Sequence, residues 1–143
     1  MSAAPGEIRI GAELVSPPYL LDAAAAKAYI EGIEEPPRRR PRGNIHDDND
    51  AARKAGFVAP IAAGEQTIAI VAQFLADRFG MRFMRGGRIE VSLTRPVFYG
   101  DTLTSRAKIV SLDADRAGLE IQVDNQRGEQ VLTGIAALRL SAA

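Results

Sequence analysis

Arg88-Ile89-Glu90-Val91-Ser92-Leu93-Thr94 alternates charged or polar residues with apolar ones without a break. A β-strand sends successive side chains to opposite faces, so this period of two predicts a strand with one face on a core. Pro96 and Tyr99-Gly100-Asp101 interrupt the pattern, and it then resumes. Further strands are expected over 102–111 (Leu103, Ala107, Ile109), 118–124 (Leu119, Ile121, Val123) and 130–140. Asn125-Gln126-Arg127-Gly128 has the composition of a tight turn and predicts a hairpin between the last two. The final strand is apolar or small on both faces: Val131, Ile135 and Ala137 on one, Leu132, Ala136 and Leu138 on the other. One face is expected to meet a helix. The other meets either a second copy through the sheet or a covering loop.

On the N-terminal side the period changes. From about Gly64 to Phe79, Ile68, Val71, Phe74 and Leu75 share one helical stripe with Ile70 on its flank, and Gly80 is a terminator, so a long buried helix is predicted. A short helix should precede it, with Asp48 as N-cap, Ala51-Ala52-Arg53-Lys54-Ala55 as its body and Gly56 as its stop. Earlier still, Asp22 can cap an alanine-rich helix from Ala23 through Glu31, ended by the prolines at 36 and 37. Residues 34–43, Glu-Glu-Pro-Pro-Arg-Arg-Arg-Pro-Arg-Gly, disfavour any regular element and read as an exposed loop. Glu7-Ile8-Arg9-Ile10 is a candidate outer strand. Helices followed by hairpin-linked strands imply the α+β class, an antiparallel sheet with one buried helix against it.

The 143 residues suit a single domain, 1–143. Eighteen basic and eighteen acidic residues cancel, so no global field favours nucleic acid or a membrane surface as partner. There is no cysteine, which excludes disulfides, thiolate nucleophiles and cysteine-ligated metal, and fits a cytoplasmic setting. Met1 to Gly6 does not read as a signal peptide, and the longest apolar stretch, near 66–76, is far short of a membrane span.

His46 is the only histidine. Its side chain alone can both give and take a proton near neutrality, which makes it the leading candidate for chemistry. Asp47, Asp48 and Asp50 lack the glycine and distal glutamate of a calcium loop, so helix capping explains them and no metal is expected. Gly86-Gly87 lacks the spacing of a phosphate-binding loop and reads as a turn; no cofactor is expected.

Three segments carry a family likeness. Asn44-Ile45-His46-Asp47-Asp48 with Ala51-Ala52 and Gly56-Phe57, then Pro60-Ile61-Ala62-Ala63-Gly64, then Arg95-Pro96-Val97-Phe98-Tyr99-Gly100-Asp101 resemble, in this order and spacing, the MaoC-like hydratases and dehydratases. The likeness covers roughly residues 40–140. It implies a hot-dog fold, an antiparallel sheet wrapped around a long central helix. It also implies thioester substrates on coenzyme A or acyl carrier protein, and a homodimer with its site at the subunit boundary. Enoyl-thioester hydration needs a base for water, an acid for the α carbon and a donor for the thioester oxygen. By the resemblance, His46 matches the family's proton-transfer histidine and Gly64 the helix start whose N–H polarises the carbonyl.

The chain also departs from the family pattern. The family aspartate falls on Pro41, or on Arg42 if a proline is deleted beside Asn44, and neither is a general base. A family serine falls on Ala69 and a histidine before the helix glycine on Ala63. Glu65 could replace the lost carboxylate, or simply complement the helix dipole as a first-turn acid. Asn44, Arg40 and Arg42, with Arg38 and Arg39, are candidate substrate contacts for the phosphates of coenzyme A or an acidic carrier surface; a solvated loop is the alternative for the arginines. Three functional readings follow: a hydratase or dehydratase using the lone histidine, a non-catalytic subunit of a heteromeric dehydratase with a catalytic partner, or an isomerase or cyclase using His46 on another substrate.

Overall fold

The alternating segments form the strands they predict, each within two residues of its expected bounds. A computed structural model describes residues 7–33 and 43–141. In chain order its elements are β1 (Glu13–Val15), β2 (Tyr19–Leu21), α1 (Ala23–Ile33), α2 (Asn49–Lys54), α3 (Gly64–Phe79), α4 (Met81–Met84), β3 (Arg88–Leu93), β4 (Asp101–Leu112), β5 (Arg116–Asp124) and β6 (Gln130–Arg139). The strands make one antiparallel sheet in the order β1-β4-β5-β6-β3, with β2 also pairing to β4.

Register follows burial. Ala107 lies opposite Ile121 and Ile109 opposite Leu119, while Leu119 in turn lies opposite Ala136 and Val123 opposite Leu132. A slip of one residue would turn this whole apolar set to solvent, so the register is strongly specified. The inner face closes over α3, whose Val71, Phe74, Leu75 and Phe79 are buried in the same cluster. Burying each such side chain stabilises by about 1.5–3 kcal/mol, which is what holds a helix with no side-chain cap at its N-terminus.

Four details differ from the sequence expectation. Glu7–Ile10 forms no strand, and Ile10 is 61% exposed. The outer strands are instead Glu13–Val15 and Tyr19–Leu21, which bury Leu14 and Leu21 and are separated by Pro17-Pro18. Three residues are too few to show a period. Gln66 and Thr67 are buried at the start of α3, whereas Ile68 and Ile70 are half-buried. Finally, the apolar alternation of β3 does not end in the core. Ile89 and Val91 are half-buried, but Leu93 is 51% exposed, because β3 is a sheet edge whose last residue reaches past the sheet to the first turn of α3. In β6, Leu132, Ala136 and Leu138 face the core, and no described residue covers Ile135 on the other face. Pro41, Arg40, Arg42 and the other loop arginines lie outside the described residues.

Candidate active site

His46 sits in a turn built by its neighbours' side chains. The Asn44 side-chain oxygen accepts the His46 N–H (2.8 Å), and Asp47 Oδ1 accepts the Asn44 and Gly43 N–H groups (2.9 and 3.1 Å). Asp48 then accepts the Ala51 N–H (2.7 Å), capping α2 as its sequence position predicts. Short polar side chains that bond nearby main chain favour such a turn over helix or strand.

Two distant segments fix the ring and its carbonyl. Ile61 is held between Ile45, whose carbonyl accepts its N–H, and Phe98, with which it forms a β-bridge. The Ile61 carbonyl lies 2.8 Å from His46 Nδ1. A carbonyl only accepts, so Nδ1 carries the proton and donates it, and in the singly protonated ring Nε2 is then the acceptor. From the other side the Tyr99 hydroxyl donates to the His46 carbonyl (2.8 Å). Burial, and secondarily the negative charge of Asp47, raise the Tyr99 pKa and keep that hydroxyl protonated. Tyr99 is itself carried by the turn at Asp101, a buried carboxylate that accepts the Phe98 N–H (2.9 Å) and the Gln126 amide (2.8 Å) and pairs with Arg127 (3.6 Å).

His46 and the start of α3 line one cleft of about 290 Å³, together with Phe57, Thr67, Leu93 and Arg95. At a helix N-terminus the first amides have no intrahelical acceptor and carry the positive end of the dipole. The Gly64 and Glu65 N–H groups have no acceptor among the described residues. Glycine at 64 keeps the approach narrow, since a Cβ there would overlap Leu93 Cδ1. His46 also borders a second depression with Asp47, Lys27, Pro60 and Tyr99. The arrangement offers a proton acceptor beside donors suited to a developing oxyanion.

The structure therefore brings His46 and Gly64 together. Glu65 is exposed and is not among the residues that line the cleft, and the Asn44 side chain is engaged beneath the histidine. No carboxylate is among the residues lining the cleft. No cluster of three metal-ligating side chains occurs among the described residues. Sequence reasoning missed Thr67, 1% exposed and in the cleft wall. It also missed Tyr99 as the support of His46 across a separation of 53 residues. A single polar residue one turn past Gly64 was the available signal for Thr67; nothing local announces the Tyr99 contact.

The sequence profile described as MaoC like domain matches residues 43–130. No curated protein matches in sequence. Among solved structures, the chain resembles the (R)-hydratase from A. caviae involved in PHA biosynthesis (TM-score 0.70, 23% identity, covering 94% of this chain and 98% of that one). It also resembles the MaoC-like dehydratase from Rhodospirillum rubrum (TM-score 0.67, 27% identity, 92% of each chain). A third likeness is to the ChsH1-ChsH2 complex from Mycobacterium tuberculosis (TM-score 0.70, 17% identity, 94% and 100%). The profile spans the histidine turn, the start of α3 and the Tyr99 turn, more than half of the sequence, and on that match the chain belongs to the MaoC-like hydratase and dehydratase family, with its hot-dog fold.

Proposed function

We propose that this chain is a hydratase or dehydratase acting on an acyl thioester of coenzyme A or acyl carrier protein, with His46 as its acid/base. The observation that carries the reading is the Nδ1–H bond to the Ile61 carbonyl, which leaves Nε2 as the ring's acceptor in a cleft shared with the open amides of α3. In the hydration direction, Nε2 takes a proton from water as its oxygen bonds to the β carbon of the enoyl group. The double-bond pair moves toward the thioester, and the enolate oxygen is held by the Gly64 N–H and its neighbour. The imidazolium then returns the proton to the α carbon. One histidine thus serves both transfers, and dehydration is the reverse.

Loss of enoyl absorbance with a short enoyl-CoA tests this. His46→Ala should lower turnover by about a hundredfold to ten-thousandfold. Glu65→Gln asks whether Glu65 assists; a loss of similar size would assign it the second proton. Turnover unchanged in His46→Ala would sink the assignment.

A second reading rests on the lack of any carboxylate among the cleft's lining residues: the chain is then the thioester-binding subunit of a heteromer whose partner completes the site. Wild-type chain without turnover, restored by a co-purified partner, favours it. An isomerase or cyclase using the same histidine predicts consumption of a different substrate with His46 still required. We further propose a cytoplasmic homodimer. No helix among the described residues is long and apolar enough to cross a membrane, and the outer edge of β3 has no strand beside it among the described residues.

A further inference from the structure

Thr67 lies three residues past Gly64 in the first turn of α3. Helical side chains tilt toward the N-terminus and residues three apart share a face, so Thr67 stands on the same side of the helix as Gly64. It is 1% exposed and lines the cleft that His46 lines. A helical threonine can return its hydroxyl to a carbonyl three or four residues back. Thr67 does not, for its hydroxyl makes no hydrogen bond among the described residues. Nor is that oxygen sealed in the core: Ser105 Oγ is the one enclosed side-chain polar atom without a partner among the described residues. The little surface that Thr67 keeps therefore includes its hydroxyl, and the space it opens on is the cleft.

The other polar side chains of the cleft are placed differently. Thr94, the second hydroxyl, is exposed and turned to the β6 main chain, where it donates to the Gln130 carbonyl (2.9 Å). Arg95 is exposed and has donors alone. That leaves His46 Nε2 and Thr67 Oγ1 as the acceptors for a water bound in the cleft. An attacking water has two O–H bonds. One proton passes to the base, and the other stays and needs an acceptor away from bulk solvent.

We propose that Thr67 is a second catalytic residue, whose Oγ1 accepts the hydrogen that the attacking water keeps. The proposal rests on the hydratase reading above. During hydration the water oxygen bonds to the β carbon, one proton passes to Nε2, the double-bond pair moves to the thioester enolate, and the hydrogen held by Thr67 becomes that of the 3-hydroxyl. Thr67 gains and loses no proton; it orients the oxygen. In dehydration the same contact holds the 3-hydroxyl while it takes the proton of the imidazolium and leaves as water.

Two measurements on the purified chain test this. Thr67→Val keeps the shape and removes the hydroxyl; kcat for crotonyl-CoA hydration should fall about ten- to hundredfold with KM within about twofold, and Thr67→Ser should keep most of the wild-type turnover. The second measurement needs no turnover. Calorimetry on His46→Ala should show 3-hydroxybutyryl-CoA bound about five- to tenfold more tightly than butyryl-CoA, and adding Thr67→Val should erase the difference. Wild type that fails to hydrate crotonyl-CoA while this preference holds would sink the hydratase reading and leave the Thr67 contact supported. Wild-type kcat in Thr67→Val, equal losses in Thr67→Val and Thr67→Ser, or a hydroxyl preference that is absent or survives Thr67→Val would overturn the proposal.

Discussion

His46 owes its position to main-chain contacts: its N–H is held by Asn44, its carbonyl by Tyr99 and its ring by the carbonyl of Ile61. Tyr99→Phe removes one of these and should cost about 0.5–1.5 kcal/mol of stability. It should also change the alkaline limb. The folded Tyr99 pKa is raised, so its contribution is complete below the ordinary tyrosine value near 10 and is lost as pH rises through the higher folded value. Urea melts from pH 9 to 11 should therefore fall more steeply for wild type than for Tyr99→Phe, and parallel curves would disprove the linkage. At this scale the sequence reveals chemistry better than support. His46 was legible because one side chain type titrates near neutrality and no second copy competes. Tyr99 was not, because its partner is an unremarkable carbonyl distant in the chain.

The turns between strands carry their own signatures. Asp113 accepts the main-chain N–H groups of Asp115 and Arg116, which lower its pKa; the Asn125 amide, then Arg127, does the same for Glu129. A carboxylate lowered in the fold contributes above its ordinary pKa near 4 and loses that contribution as pH falls through the folded value. Asp113→Asn and Glu129→Gln should each flatten the loss of stability below about pH 4 seen by urea melts; an acid limb as steep as wild type counts against it. Gly128 has φ +74° in the β5–β6 turn, where an L side chain is strained, so Gly128→Ala should cost about 1–2 kcal/mol. The β4 and β5 patterns were readable because apolar and polar residues alternate along much of their twelve and nine residues, whereas β6 was marked by apolar or small residues on both faces. β1 and β2 were not, since their burial is imposed by β4 rather than by local alternation.

A single apolar cluster joins α3 to β1, β4, β5 and β6, so damage at its centre should be felt everywhere at once. Leu75, fully buried on α3, gives the test: Leu75→Ala should cost about 2–5 kcal/mol and keep one cooperative transition in urea. Two separated transitions would contradict the single core. The fold class was legible at this level because the order of periods, helical and then alternating, constrains the layers. The site was only half legible, since the cleft exists where the end of an edge strand meets the start of a helix some thirty residues away in sequence. The carbonyl that orients the histidine belongs to the backbone, and no substitution at position 61 deletes it. Ile61 also lines the same cleft, so a substitution there changes what the ligand meets while the carbonyl that holds the imidazole stays in place.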